Sequence, residues 1–130
     1  MLVLDATVVV PAFTAGGDLR RLRDEELVAP PLMWSEARSS LHEALWRREI
    51  SSSAARKAHE RLDQAPIDRR QPRRLGQEAW RLADELGWAK TYDAEYLALA
   101  SLLGCRFVTL DARLRRGADR LGFVVSPTEL

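Results

Sequence analysis

Short apolar segments alternate with longer amphipathic segments along this chain, and this alternation constrains the fold more than any other feature of the sequence. Runs of mostly apolar residues predict strands at 2–4, 27–29, 106–110 and 123–125, with a further short strand at Ile67. Helical spacing predicts helices at 7–13, 18–26 (with Asp18 as candidate N-cap), 32–49, 54–65, 75–86, 92–103 and 112–121. Apolar strands separated by helices are typical of a parallel sheet covered on both faces. The sequence therefore predicts an α/β fold with a parallel central sheet.

The length and charge of the chain exclude several classes of protein. With 130 residues, no repeat and no linker, we expect a single domain over residues 1–130. The net charge of +1 excludes a nucleic-acid binder that acts by overall charge, but not a local basic patch. Cys105 is the only cysteine, which excludes a disulfide framework or a zinc cluster within one chain. The first apolar segment is short and carries Asp5, so we expect no signal peptide, no membrane span and a cytoplasmic location.

Three acidic residues fall where sites form in such folds. Asp5 follows the first predicted strand and Asp111 follows the strand at 106–110. Sites in open α/β sheets lie outside the carboxyl ends of the strands. An aspartate after a strand is alternatively the N-cap of the next helix, so both interpretations stay open. Glu36 lies in the first turns of the helix at 32–49, where it also complements the helix dipole.

The segment TYDAEYLALA at 91–100 places two more carboxylates beside an apolar run. Asp93 shares a helical face with Leu97 and Ala100, which predicts that it points inward. A carboxylate on an inward face needs hydrogen bonds, a cation or a metal. Glu95 lies about 200° further around the helix, so it is expected to reach solvent or to favour the helix dipole. Asp93 is therefore the fourth candidate site residue.

Four carboxylates at one edge of a sheet repel one another and raise one another's pKa values unless a divalent cation neutralises them. Oxygen ligands suit Mg²⁺ or Mn²⁺ rather than zinc. His42 and His59 are the only histidines, which excludes a histidine-rich metal site. Hydrolysis of a phosphodiester is the chemistry that most needs such a site, because a metal ion lowers the pKa of the attacking water.

The segments that carry these acids resemble the acidic quartet of the PIN-domain nucleases, and most closely the VapC-type ribonuclease toxins of toxin–antitoxin pairs. They are LVLDAT with Asp5, MWSEARSSL with Glu36, TYDAEYLALA with Asp93 and TLDARLRRGADRLG with Asp111. The resemblance implies a small three-layer α/β/α domain that cleaves single-stranded or structured RNA, such as tRNA, with Mg²⁺ or Mn²⁺. It also implies a cognate antitoxin protein and a homodimer.

The resemblance further implies a role for each of these residues. Asp5 and Asp93 would be direct metal ligands, and Glu36 and Asp111 would complete the shell of metal and water. Thr7 matches the small hydroxyl residue that follows the first aspartate, which would orient it. Glu95 is an added acid whose role stays open.

Two groups of arginines are candidates for contact with RNA phosphates. Those that directly follow the last acid should lie near the acidic edge and are the better candidates: Arg113, Arg115 and Arg116. The densest basic run lies at 69–74, where contact with RNA and a solvated turn stay equally open.

Three other functions compete with a nuclease. A phosphoacceptor aspartate domain needs a lysine near its site, and Lys90 precedes Asp93 closely, but that function does not explain Glu36. A phosphatase with a nucleophilic aspartate needs an acid two residues later, where this chain has Thr7. A catalytically silent PIN-like binding module is the third alternative, and the intact set of four acids argues against it.

Overall fold

The computed structural model describes residues 1–14, 19–22 and 24–130, so the predicted N-cap Asp18 lies outside the described residues. These residues form five parallel strands: β1 (Leu2–Leu4), β2 (Leu27–Ala29), β3 (Asp68–Arg69), β4 (Arg106–Val108) and β5 (Val124–Val125). They also form six α-helices: α1 (Ala6–Thr14), α2 (Leu32–Trp46), α3 (Ser52–Gln64), α4 (Leu75–Leu86), α5 (Tyr92–Leu103) and α6 (Ala112–Gly117). The predicted α/β fold with a parallel sheet is confirmed.

The strands lie in the order β3-β2-β1-β4-β5, which puts β1 at the centre of the sheet. The chain builds outward from β1 through β2 to β3, and then crosses back to place β4 on the other side of β1. Because the strand order reverses between β1 and β4, a crevice opens at their carboxyl ends. In the register of the sheet, Val3 of β1 lies between Val28 of β2 and Phe107 of β4.

Helices cover the sheet in a three-layer arrangement. The helices α1, α2 and α3 pack against one another, and α4 packs against α5. The helix α5 also packs on β1 and β4, and its residues from Tyr96 to Ala100 are all buried. A helix that is apolar on every side has to be buried in this way. The first turn of α5 is thereby fixed beside the crevice.

Several elements differ in their ends, position or type from those that the sequence pattern predicts. The helix α2 ends at Trp46 rather than at residue 49, and Arg48 has a positive φ of 58° just beyond it. The helix α6 ends at Gly117 and a short 3-10 turn follows at Asp119–Leu121. The strand predicted at Ile67 is displaced to Asp68–Arg69. Of the segment predicted as a helix at 18–26, Leu19–Leu22 form a 3-10 turn, and residues 24–26 are not helical.

The helix predicted at 7–13 forms as α1 although it contains β-branched valines and Pro11. Val8 and Val9 are its buried residues. None of the helices in the described ranges is long and apolar enough to cross a membrane.

Candidate active site

A cleft of about 330 Å³ opens at the edge of the sheet where β1 and β4 end. It collects acids from the β1–α1 junction, α2, α5 and the start of α6, so the four carboxylates predicted from the sequence share one cleft. The polar side chains along it are those of Asp5, Thr7, Glu36, Ser40, Asp93, Tyr96 and Asp111.

Asp5 directly follows β1 and is the most buried of the four acids, with 4% of its surface exposed. Its Oδ1 accepts hydrogen bonds from the backbone N–H of Thr7 at 3.1 Å and from the Thr7 hydroxyl at 2.5 Å. Burial raises the pKa of Asp5 to about 6, and the hydrogen bonds from Thr109 and Thr7 oppose that rise. Thr7 therefore makes the contact expected of a residue that orients Asp5.

Thr109 is a site residue that the sequence analysis did not identify. It is 1% exposed, and its hydroxyl donates to Asp5 Oδ2 at 2.6 Å. The same hydroxyl accepts the backbone N–H of Asp111 at 3.0 Å and lies 3.2 Å from the Thr7 hydroxyl. Thr109 thereby ties the end of β4 to the end of β1. The available signal was a hydroxyl residue placed two positions before an acid at the end of an apolar strand.

Tyr96 is a second residue that the sequence analysis missed as part of the site. Its hydroxyl donates to Glu36 Oε1 at 2.5 Å, and its ring stacks on Phe107 with the centroids 5.5 Å apart. Burial, and then the contact with Glu36, raises the pKa of Tyr96, so the hydroxyl stays protonated and can donate. A tyrosine inside an otherwise apolar run was the signal, since a buried phenol needs a hydrogen-bond partner.

Asp93 lies in the first turn of α5 and is exposed to the cleft, rather than buried against the sheet as its helical face predicted. The reason is that the first turn of α5 lies at the cleft, so the face that carries Asp93 meets the cleft rather than the sheet. Partial desolvation of its carboxyl group, and to a smaller extent the charge of Asp111, raises the pKa of Asp93.

Glu95 is half-buried. Its burial, and to a smaller extent the charge of Glu36, raises the pKa of Glu95. Glu95 is therefore close to Glu36, although it does not line the cleft.

Asp111 satisfies both interpretations that the sequence left open. Its Oδ1 accepts the backbone N–H groups of Arg113 at 3.0 Å and of Leu114 at 3.1 Å, which caps the N-terminus of α6. Its side chain also lines the cleft. The cap fixes the position of this carboxylate at the edge of the sheet.

The donor atoms along the cleft suit a hard divalent cation, because they are carboxylate and hydroxyl oxygens, with no histidine or cysteine among the described lining residues. However, in the part of the chain that the structure describes, no three His, Cys, Asp or Glu side chains form a group that could hold a metal ion. The four acids therefore line one cleft, and no three of them form a close cluster.

The arginines near the cleft differ in their surroundings. Arg113 lines a pocket next to the cleft, whereas Arg115 forms an ion pair of 2.6 Å with Glu129. Arg116 is exposed and lines neither the cleft nor that pocket. In the basic run at 69–74, the guanidinium of Arg69 lies 4.7 Å from the ring centroid of Trp34. Among the three arginines predicted to meet phosphate, only Arg113 therefore lies at the site.

Comparisons with known proteins identify the family and the fold of this chain. A family model described as "PIN domain" matches residues 2–120. "Ribonuclease VapC9" of Mycobacterium tuberculosis is 32% identical over 115 residues, which cover 88% of each chain. "Ribonuclease VapC1" of the same organism is 38% identical over 121 residues, with 86% of each chain covered. The structure titled "Crystal structure of PAE2754 from Pyrobaculum aerophilum" superposes with a TM-score of 0.76 over 98% of this chain and 91% of that chain, and at 22% identity it supports the fold alone.

Proposed function

This chain belongs to the PIN-domain family and to its VapC-type nucleases, and on that premise we propose that it is a Mg²⁺- or Mn²⁺-dependent endoribonuclease. We further propose that residues 1–130 act as a single nuclease domain and as the toxin of a toxin–antitoxin pair. The resemblance drawn from the four acidic segments is confirmed by the family match. Membership also sets aside the phosphoacceptor and phosphatase alternatives.

The observation that carries the proposal is the convergence of four carboxylates from four different elements on one cleft. Asp5 and Asp93 would hold a divalent cation directly, and Glu36 and Asp111 would complete its shell of ligands and water. Such a cation would lower the pKa of an attacking water and neutralise charge on the departing oxygen. The protein then needs no nucleophile of its own.

The residues around the acids hold them in position for this role. Thr7 and Thr109 together donate to both oxygens of Asp5, so its rotation is fixed. Tyr96 donates to one oxygen of Glu36 and leaves the other available to a cation or to water. Orientation of this kind by neighbouring hydrogen bonds is a regular part of metal sites.

The proposed substrate is single-stranded or structured RNA, such as tRNA, met in the cytoplasm. The curated relatives carry the word "ribonuclease" in their names, which supports RNA as the substrate. The proposed inhibitor is a cognate antitoxin whose segment covers the cleft and offers an arginine to its carboxylates. A cleft lined by four acids attracts a positive charge, whether that charge belongs to a metal ion or to an arginine of the antitoxin.

Metal dependence is the first expected result. Purified protein should cleave RNA in Mg²⁺ or Mn²⁺ and should stop when EDTA is added, because the carboxylates of the cleft would act through a bound divalent cation that activates the attacking water. The measurement is the rate of cleavage of a labelled single-stranded RNA, with activity restored when the metal is added back. Undiminished cleavage in EDTA would exclude the proposed mechanism, and absence of cleavage under all conditions would favour a silent binding module.

Self-association is the second expected result. Trp46 is 82% exposed at the end of α2, next to the partly buried Leu45, which is apolar surface that one small core does not cover. We therefore expect a homodimer in solution, and we expect Trp46→Ser to weaken it. Light scattering at micromolar concentration measures the mass, and a monomeric wild-type chain would count against the dimer.

A further inference from the structure

We propose that the pocket beside the acid cleft binds one nucleotide of single-stranded RNA, adjacent to the phosphate that is cut. This nucleotide pocket is lined by the α4–α5 loop, the first residues of α5 and the start of α6, and its volume is about 530 Å³. A volume of this size is typical of small-molecule sites in proteins. The inference rests on the proposed nuclease function and assigns it a substrate-binding region.

The nucleotide pocket and the acid cleft are continuous with each other. Glu36, Asp93 and Asp111 line both of them. A strand of RNA with its scissile phosphate at these carboxylates would therefore place a neighbouring nucleotide in the pocket.

Two aromatic residues give the pocket a surface for a base. Tyr92 directly precedes Asp93 and is 57% exposed, which is unusual for a large aromatic side chain without a partner. Trp88 is partly buried and packs against Gly117, where an added Cβ would lie 3.3 Å from the Trp88 ring. The loop that carries Trp88 is set by Gly87, which ends α4 in the left-handed conformation with φ 72°. Trp88 thus forms a fixed wall, and Tyr92 offers an accessible face on which a base can stack.

Two cationic residues line the same pocket. Lys90 and Arg113 are both exposed, and neither has an ion-pair partner within 4.0 Å among the residues that the structure describes. Arg113 also lies near the acids, since it lines the same pocket as Asp93 and Asp111. Two cationic side chains beside an exposed aromatic ring match the phosphate and the base of a nucleotide.

Three variants test the pocket against two matched controls in the 130-residue protein. Tyr92→Ala should raise the KM for a short single-stranded oligoribonucleotide about 5- to 150-fold, as expected for the loss of one stacked base, with kcat changed much less. Tyr92→Phe should retain most of the affinity, because the ring remains. Lys90→Ala should lower the slope of log affinity against log salt by about 0.7, the value for one phosphate contact on a single strand. The matched controls are Trp80→Ala, which removes an exposed aromatic residue of α4 outside the pocket, and Lys57→Ala, which removes the only other lysine.

The outcomes separate this inference from the proposed function. If the wild type cleaves RNA but Tyr92→Ala and Lys90→Ala have the same KM and salt dependence as Trp80→Ala and Lys57→Ala, the nucleotide pocket is wrong and the nuclease assignment stands. If Tyr92→Phe loses as much affinity as Tyr92→Ala, stacking is excluded. If the wild type neither binds nor cleaves the oligoribonucleotide, the proposed function fails and the pocket fails with it. Thermal unfolding of each variant identifies any change that comes from loss of structure.

Discussion

Asp93→Asn should reduce the rate of RNA cleavage by about a hundredfold or more while leaving the protein folded, taking losses at metal sites as the guide. Asp93 lines both the acid cleft and the nucleotide pocket, and its side chain is exposed to the cleft. The amide keeps the shape of the carboxylate but removes the negative charge that would bind a cation. Because the charge of Asp111 raises the pKa of Asp93, the substitution also relieves repulsion in the metal-free protein.

Glu95→Gln is the matched control for this prediction. It removes a carboxylate two residues away on the same helix, from a side chain that does not line the cleft. We expect little change in activity, and a change in stability within about 0.5 kcal/mol, as is usual away from a site. Cleavage rates of both variants, measured side by side, decide between the two acids. Equal losses would show that Glu95 reaches the site through its neighbour Glu36, and a loss in Glu95→Gln alone would overturn the assignment.

Asp5→Asn should abolish cleavage and at the same time stabilise the metal-free protein. Asp5 is buried, and its pKa is raised from 3.8 to about 6. A shift of that size corresponds to a cost of about 3 kcal/mol for ionised Asp5 at neutral pH. Asparagine carries no charge, so we expect a gain of about 1–3 kcal/mol in the free energy of unfolding at pH 7.5 in EDTA.

The pH dependence of that gain follows from the sign of the shift. Between pH 3.8 and about 6 the folded protein holds a proton on Asp5 that the unfolded chain has lost. The stabilising contribution of protonated Asp5 is therefore complete below pH 3.8 and is lost as the pH rises through about 6. Urea unfolding in EDTA at pH 5 and pH 7.5 should show a larger advantage for Asp5→Asn at the higher pH. An advantage that is absent or independent of pH would contradict the account of Asp5.

The sequence predicted the position of the site better than its internal contacts. Asp5 and Asp111 could be found because acids that follow short apolar strands meet at one edge of a parallel sheet. Thr109 and Tyr96 could not be found in this way, because their hydrogen bonds join residues 104 and 60 positions apart in the chain. Local periodicity carries no information about such pairs, which depend on how β4 and α5 pack on β1 and α2.

The periodicity of α5 predicted how Asp93 and Glu95 are oriented relative to each other, but not what surrounds them. Periodicity placed Asp93 and Glu95 on different faces, and the structure has only Asp93 along the cleft. Periodicity could not show that the first turn of α5 lies at the cleft, where Asp93 is exposed. It also could not show that Glu95 would lie near Glu36. Both outcomes depend on where α2 lies relative to α5, and the periodicity of α5 alone does not specify that position.

Direct binding of Mn²⁺ to the purified protein tests the central claim that these carboxylates form a divalent-cation site. The measurement is a titration of free Mn²⁺ by electron paramagnetic resonance, without RNA, on the wild type and on Asp93→Asn and Glu95→Gln. We predict saturable binding to the wild type and to Glu95→Gln, and strongly weakened binding to Asp93→Asn. A wild-type protein that binds no Mn²⁺, or an Asp93→Asn variant that binds it as tightly as the wild type, would contradict the claim.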